Sequence, residues 1–240
     1  MRRIGWIGTA VGLVLVLLVV IGGYQLVSAR SYQLGGGILV DRVDTEQKVI
    51  ALTLDDGPSD RTPEVLRVLS DLDVPATFYL NGRDIDARPE HARAIVEAGH
   101  ELGNHTYNHR RMVFVTRGTV AEEVEKTDTA IRGTGYQGPI TFRPPYGKKL
   151  WALPDYLSDH YRTTVMWDVE PDSGVTADAA AIAADAVDQA RAGSIILLHV
   201  MYGNGAESLA AIPRIVEDLR AQGYRFVTVS DLISAGQAAT

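Results

Sequence analysis

Short apolar runs alternate along this chain with stretches whose apolar positions recur every three or four residues. The runs at 49–54, 76–80, 100–103, 140–142, 163–167, 194–199 and 225–229 read as strands, each bounded by Gly, Pro or polar residues. Between them, an amphipathic period marks helices at 62–71, 89–98, 119–132, 150–159, 177–192 and 208–222. Gly99 and Gly223 follow the last turns of two of these helices, and Pro63 and Pro89 stand at first-turn positions. Alternation of this kind predicts an α/β fold, with a parallel sheet covered by helices and either closed as a barrel or left open.

The N-terminus follows a different pattern. Arg2 and Arg3 precede an uncharged stretch over 4–29, most apolar over 11–21. A spanning helix needs about 20 apolar residues and a cleaved signal core about 7–15, so length favours a retained anchor. Val27-Ser28-Ala29 is still an acceptable cleavage site, which leaves a secreted form open. With both arginines ahead of the apolar run, the amino end stays cytoplasmic and the rest is exported. The expected organisation is an N-terminal transmembrane helix or signal segment at 1–29, a tether at 30–47 that is flexible over 31–37, and one globular domain over 48–240. The expected location is the cell membrane, single-pass, with the domain outside.

Composition narrows the function. The 240 residues are 46% hydrophobic and 22% charged, enough for one good core. A net charge of −7, with no basic cluster interleaved with aromatics, excludes a nucleic-acid face and suits a neutral or cationic ligand. Nothing indicates a protein partner. The absence of cysteine leaves only Asp, Glu and His to hold a metal.

Polar residues fall where such folds place their chemistry. Asp55, Asp56, His105, His109, Arg143, Asp172 and His199 each stand at or just past the carboxyl end of an expected strand. Val49-Ile-Ala-Leu-Thr-Leu-Asp-Asp-Gly-Pro58 runs a buried strand into two adjacent carboxylates. Carboxylates that close oppose each other's ionisation unless a cation takes one, so Asp56 reads as a metal ligand and Asp55 as a base. A turn in which either acid caps the helix from Thr62 is the alternative. His105 and His109 are four apart, so one helical turn would bring both imidazoles to one point; Thr106 in place of Glu argues against a helix-borne zinc peptidase. Two imidazoles and one carboxylate leave coordination positions open, as a catalytic site does. In Arg143-Pro-Pro-Tyr-Gly147 the prolines stiffen the turn, Arg143 suits a paired hydrogen bond to Asp55, and the Tyr146 N–H is a candidate oxyanion donor; a rigid surface loop is the bland alternative. His199, closing an apolar strand, becomes a candidate acid with Asp172 in reach, and Leu197 falls on its side of the strand.

The ordered set Thr-Leu-Asp-Asp-Gly-Pro, His-x-x-x-His, Arg-Pro-Pro-Tyr, Asp172 and Leu-x-His resembles the five motifs of the polysaccharide deacetylase family, the NodB homology domain or carbohydrate esterase family four. The resemblance covers roughly 49–229. It implies a distorted (β/α) barrel of about seven parallel strands and a divalent metal, zinc first with cobalt or nickel as alternatives. It also implies hydrolytic removal of N-acetyl groups from N-acetylhexosamine polymers. Carried over by position, Asp55 is the base; Asp56, His105 and His109 are the ligands. Arg143 orients the base, Tyr146 donates to the oxyanion, and His199 is the acid tuned by Asp172. Leu197, Tyr146 and Pro145 are the implied substrate contacts. The tether suggests a cell-surface N-acetylated glycan, with peptidoglycan N-acetylglucosamine as first candidate. Ser173 departs from the family's Trp after the fourth-motif carboxylate, which points to a wider or wetter acetyl pocket, and Trp167 is a possible substitute wall. A silent glycan-binding module and a small-molecule amidohydrolase are the rival readings.

Overall fold

The computed structural model describes residues 2–173, 178–203 and 205–237, and side chains from residue 12 onward. Helix α1 (Arg2–Ser28) leads into β1 (Leu39–Val40) and β2 (Val49–Asp55). Then come α2 (Thr62–Asp71), β3 (Thr77–Leu80), α3 (Gly82–Ala87), α4 (Pro89–Glu97), β4 (Glu101–Asn104) and α5 (Arg117–Gly133). The chain ends with α6 (Ala152–Asp159), β5 (Thr164–Val165), α7 (Ala179–Gln189), β6 (Ile195–Leu198), α8 (Gly205–Ala221), β7 (Arg225–Val227) and α9 (Val229–Gln237).

Every pairing between these strands is parallel, as strand–helix alternation requires. Five strands run in the order β4-β3-β2-β6, with β7 also on β2. β6 takes Ala51 to Leu54 along one edge of β2, while β3 and β7 share the other edge at successive ends. β1 and β5 form a separate pair. Single parallel bridges join the pieces: Phe142 meets both Asn104 and Thr164, and Val169 meets Ile196.

Period-two alternation sorts β2 between two cores. Ile50, Leu52 and Leu54 face the helices, in the cluster that holds Val65 and Leu69 of α2 and Ile212 and Ile215 of α8. Val49 and Ala51 face inward with Tyr79, Trp167, Ile195 and Leu197. Each such fully buried aliphatic contributes about 1.5–3 kcal/mol, which fixes the register of the central strand. By the same alternation Thr53 and Asp55 fall on the inward side.

Several expectations are corrected. The strand at 140–142 is reduced to bridges through Phe142, because Pro139 and Pro144 flank it and cannot donate to a ladder. β1 lies within the segment expected to be tether: it pairs with Thr164 and Val165, and Val43 N–H donates to Gly193 O at 2.9 Å. The second half of 30–47 is therefore part of the folded body. The expected N-terminal segment is helical as α1, but among the described residues no helix is long and apolar enough to cross a membrane. The side chains of 1–11 in that segment lie outside the described residues, as does residue 177 of the expected helix at 177–192.

Candidate active site

The carboxyl ends of β2, β4 and β6 open onto a cleft of about 500 Å³ lined by, among others, Asp55, Asp56, His105, His109, Tyr146 and His199. Asp55 ends β2 and is 2% exposed. Asp56 has φ +73 and leaves the strand, so the two neighbours turn apart, one into the interior and one to the cleft. Neither acid caps α2, whose N-cap is Arg61 with no side-chain cap bond.

Arg143 is wholly buried and sits beneath Asp55. Its Nη1 donates to Asp55 Oδ1 at 2.7 Å and to Thr53 Oγ1 at 2.8 Å, Nη2 donates to Met166 O at 3.0 Å, and Nε to Val165 O at 3.3 Å. The pair with Asp55 is thus one hydrogen bond rather than a two-pronged clamp. The guanidinium also lies 4.1 Å from the centre of the Tyr79 ring. The inward side of β2 therefore dictates where this cation goes.

His105 and His109 converge, although not on a helix. Thr106 and His109 have φ of +66 and +56, so a tight loop achieves what a helical turn would have done. Asn104 Oδ1 accepts from Thr106 N–H at 2.9 Å, and Asn81 Nδ2 donates to His105 O at 2.9 Å, pinning that loop. One ligand atom from each of Asp56, His105 and His109 lies within 4.8 Å of the others. His109 Nε2 is 3.3 Å from Asp56 Oδ1, and His105 Nε2 is 3.9 Å from it. His105 Nδ1 donates to the carbonyl of Arg143 at 2.8 Å, which assigns the lone pair to Nε2, on the side of Asp56. Burial, then the neighbouring His105, push the His109 pKa down to about 4, outweighing the nearby carboxylates. Two imidazoles from one loop and one carboxylate from another are a donor set that fits a divalent cation.

On the opposite rim, His199 Nδ1 lies 3.2 Å from Asp172 Oδ1, and Asp172 Oδ2 accepts from His199 N–H at 2.6 Å and from Ser208 Oγ at 2.8 Å. Burial alone would lower the His199 pKa; the hydrogen bond to Asp172 and the charges of Asp55, Asp172 and Asp56 overcome this and push it up to about 9. Asp172 is pulled below the usual carboxylate range, because its bonds to His199 and Ser208 outweigh burial.

Tyr146, at φ +58, is half-exposed, and its ring centre stands 4.6 Å from that of His109. Leu197 and Pro145 are buried and are not among the residues lining the cleft. Trp167 does line it, and donates Nε1 to Glu170 Oε2 at 2.8 Å, while Ser173 is exposed with its hydroxyl on Glu170 O. Sequence reasoning missed Thr53, Tyr79 and Glu170, and also Tyr24, Ser28 and Arg30, which reach the cleft from the N-terminal segment. The only signal for the last three was Arg30, the first charge after the apolar run.

A family model for polysaccharide deacetylase matches residues 42–164. A peptidoglycan-N-acetylglucosamine deacetylase of Bacillus cereus is 32% identical over 205 residues, which cover 82% of this chain and 93% of the relative. The peptidoglycan-N-acetylmuramic acid deacetylase PdaC of Bacillus subtilis is 32% identical over 80% of this chain, but the match spans only 40% of that longer protein. Among solved structures, the Bc1960 peptidoglycan N-acetylglucosamine deacetylase superposes with a TM-score of 0.77 at 29% identity, covering 81% of this chain and 92% of that one.

Proposed function

This chain belongs to the polysaccharide deacetylase family, and on that premise we propose that it hydrolyses the N-acetyl groups of N-acetylhexosamine residues in a cell-wall glycan, peptidoglycan N-acetylglucosamine first. The observation that carries this reading is the convergence of Asp56, His105 and His109 beside an acid, Asp55, paired to a buried arginine. The substrate names of the relatives support the choice of glycan.

Asp56, His105 and His109 would hold a divalent ion, zinc in our reading, with cobalt or nickel as substitutes. Such an ion supplies Lewis acidity that lowers the pKa of a water and polarises an acetamide carbonyl. Asp55, aimed by Arg143, accepts the proton of the water that adds to the carbonyl carbon. The Tyr146 N–H donates to the oxygen that becomes negative. His199, held by Asp172 through Nδ1, donates a proton to the amine nitrogen as the carbon–nitrogen bond breaks, and acetate and a free amine result. Trp167, which lines the cleft, supplies the wall that Ser173 does not.

We also propose that 1–29 is a single-pass membrane anchor with the catalytic domain outside the cell, the first half of 30–47 joining them and the second half belonging to that domain. The two arginines ahead of the uncharged stretch over 4–29 and the exposed apolar side chains over 13–21 support this. Cleavage after Ala29 would give a secreted form.

The test is acetate release from N-acetylglucosamine oligomers and from peptidoglycan. Wild type should be active and chelator-sensitive, and Asp55→Asn inactive with metal still bound. Robust activity of Asp55→Asn would remove Asp55 as the base; oligomer binding without acetate release at any metal concentration would replace the enzyme with a silent module.

A further inference from the structure

The end of α1 reaches the catalytic cleft, where Tyr24, Ser28 and Arg30 stand among its lining residues. Two adjacent lysines hold it there. Lys149 is 2% exposed, donates Nζ to Ala29 O, and gives its backbone N–H to Val27 O at 3.1 Å. Lys148 donates Nζ to Ser28 Oγ and lies 4.1 Å from the centre of the Tyr24 ring. A buried ammonium is costly unless acceptors meet it, and the last carbonyls of a helix, at the negative end of its dipole, are suited to do so.

One residue further, Arg30 forms an ion pair with Glu170 and lies 4.7 Å above the Trp167 ring, while Trp167 donates to the same Glu170 oxygen. Arg30, Glu170 and Trp167 thus close a triangle on the cleft wall. The following stretch is laid on the domain as well. Gly35 has φ +86 and approaches α6 so closely that a Cβ would stand 3.1 Å from Asp155 N, and Ile38 O accepts from Thr164 N–H at 2.9 Å.

We infer that the end of the N-terminal helix is a wall of the substrate site, and that Arg30 and Tyr24 are specificity-determining residues for the sugars flanking the reacting one in a glycan chain. The inference rests on the deacetylase reading. The Arg30 side chain is 44% exposed and spends one of its five N–H donors on Glu170. Arg30 lines the cleft beside the reaction centre, on the wall it shares with Trp167 and Glu170. Hydroxyl and acetamide oxygens of a neighbouring N-acetylhexosamine are the acceptors that fit. A single residue bound at the centre would not need them, whereas an oligomer would.

The experiment uses the full chain in detergent, with the dimer and the pentamer of N-acetylglucosamine as probes. Arg30→Ala should raise the KM for the pentamer about tenfold, the size of one lost charge-assisted hydrogen bond, and leave kcat within about twofold. Its constants for the dimer should stay within about twofold. Tyr24→Ala should act in the same direction, and Arg30→Lys, which keeps the pair with Glu170, should recover most of the loss. Calorimetric binding of the pentamer to chelator-treated protein should weaken by the same factor. An unchanged pentamer KM and affinity in Arg30→Ala and Tyr24→Ala would overturn the inference. So would equal losses on dimer and pentamer, which would mark the contact as merely structural. If wild type released no acetate from any oligomer, the deacetylase reading would fail by itself, and the calorimetric comparison would still decide the role of Arg30.

Discussion

Arg143→Met is the most demanding test of how the site is held. The substitution roughly conserves side-chain volume, so cavity costs stay small. What it removes is the cation under a carboxylate whose side chain is 3% exposed, together with the donors to Thr53 Oγ1, Val165 O and Met166 O. Breaking a buried pair from one side costs about 3–5 kcal/mol, because the surviving charge has no solvent to turn to. For a domain of this size that is roughly 2–4 °C of Tm per kcal/mol, or a fall of about 6–20 °C. Urea and thermal unfolding, followed by circular dichroism on chelator-treated protein, would measure it without the stabilisation a bound ion adds. Asp55→Asn in the Arg143→Met background removes the stranded charge, and should return at least about 1 kcal/mol relative to Arg143→Met alone. A cost below about 1 kcal/mol, or a double-mutant cycle without coupling, would refute the claim that Arg143 compensates the buried carboxylate.

Three further outcomes are expected. His199 is raised to about 9, so its acid form persists through neutral pH and activity should fall as pH rises through that value, or somewhat lower where a cation offsets the charge of Asp56. Asp172→Asn should move this alkaline limb to lower pH, and a limb that stays in place would detach His199 from the proton transfer. Chelation should abolish acetate release and lower Tm, zinc, cobalt or nickel should restore both, and His109→Ala should weaken metal affinity at least tenfold in a direct titration. Gly193 has φ +80, and a Cβ there would lie 1.7 Å from Val43 O; Gly193→Ala should therefore cost several kcal/mol in urea unfolding, by forcing the 42–45 segment off the start of β6.

The placement of the candidate site was legible because strand ends announce themselves. Asp55, Asp56 and His199 follow apolar runs whose alternation survives in the fold, and the structure gathers them with His105 and His109 around one cleft, with Arg143 buried against Asp55. What the sequence leaves open is backbone conformation and long-range docking. A four-residue histidine spacing suits a helical turn and a positive-φ loop equally well, and the bonds from Asn104 and Asn81 choose the loop. Helix α9 was missed because Val229 reads as the close of a strand, whereas Val229 and Leu232 are buried on one helical face. The docking of residues 24–30 depends on Lys148, Lys149 and Glu170, more than a hundred positions away, and no local pattern encodes it.

Arg143 touches the site twice, through its guanidinium to Asp55 and through its carbonyl to the His105 ring. The proposed proton acceptor and the proposed ion ligand are therefore geared to a single residue, and neither can drift without dragging the other. A visible-absorption spectrum of a cobalt-loaded sample would accordingly act as a gauge for the whole assembly. Replacing Thr53 by Val, two steps back along β2 and out of reach of the ion, should still change its bands.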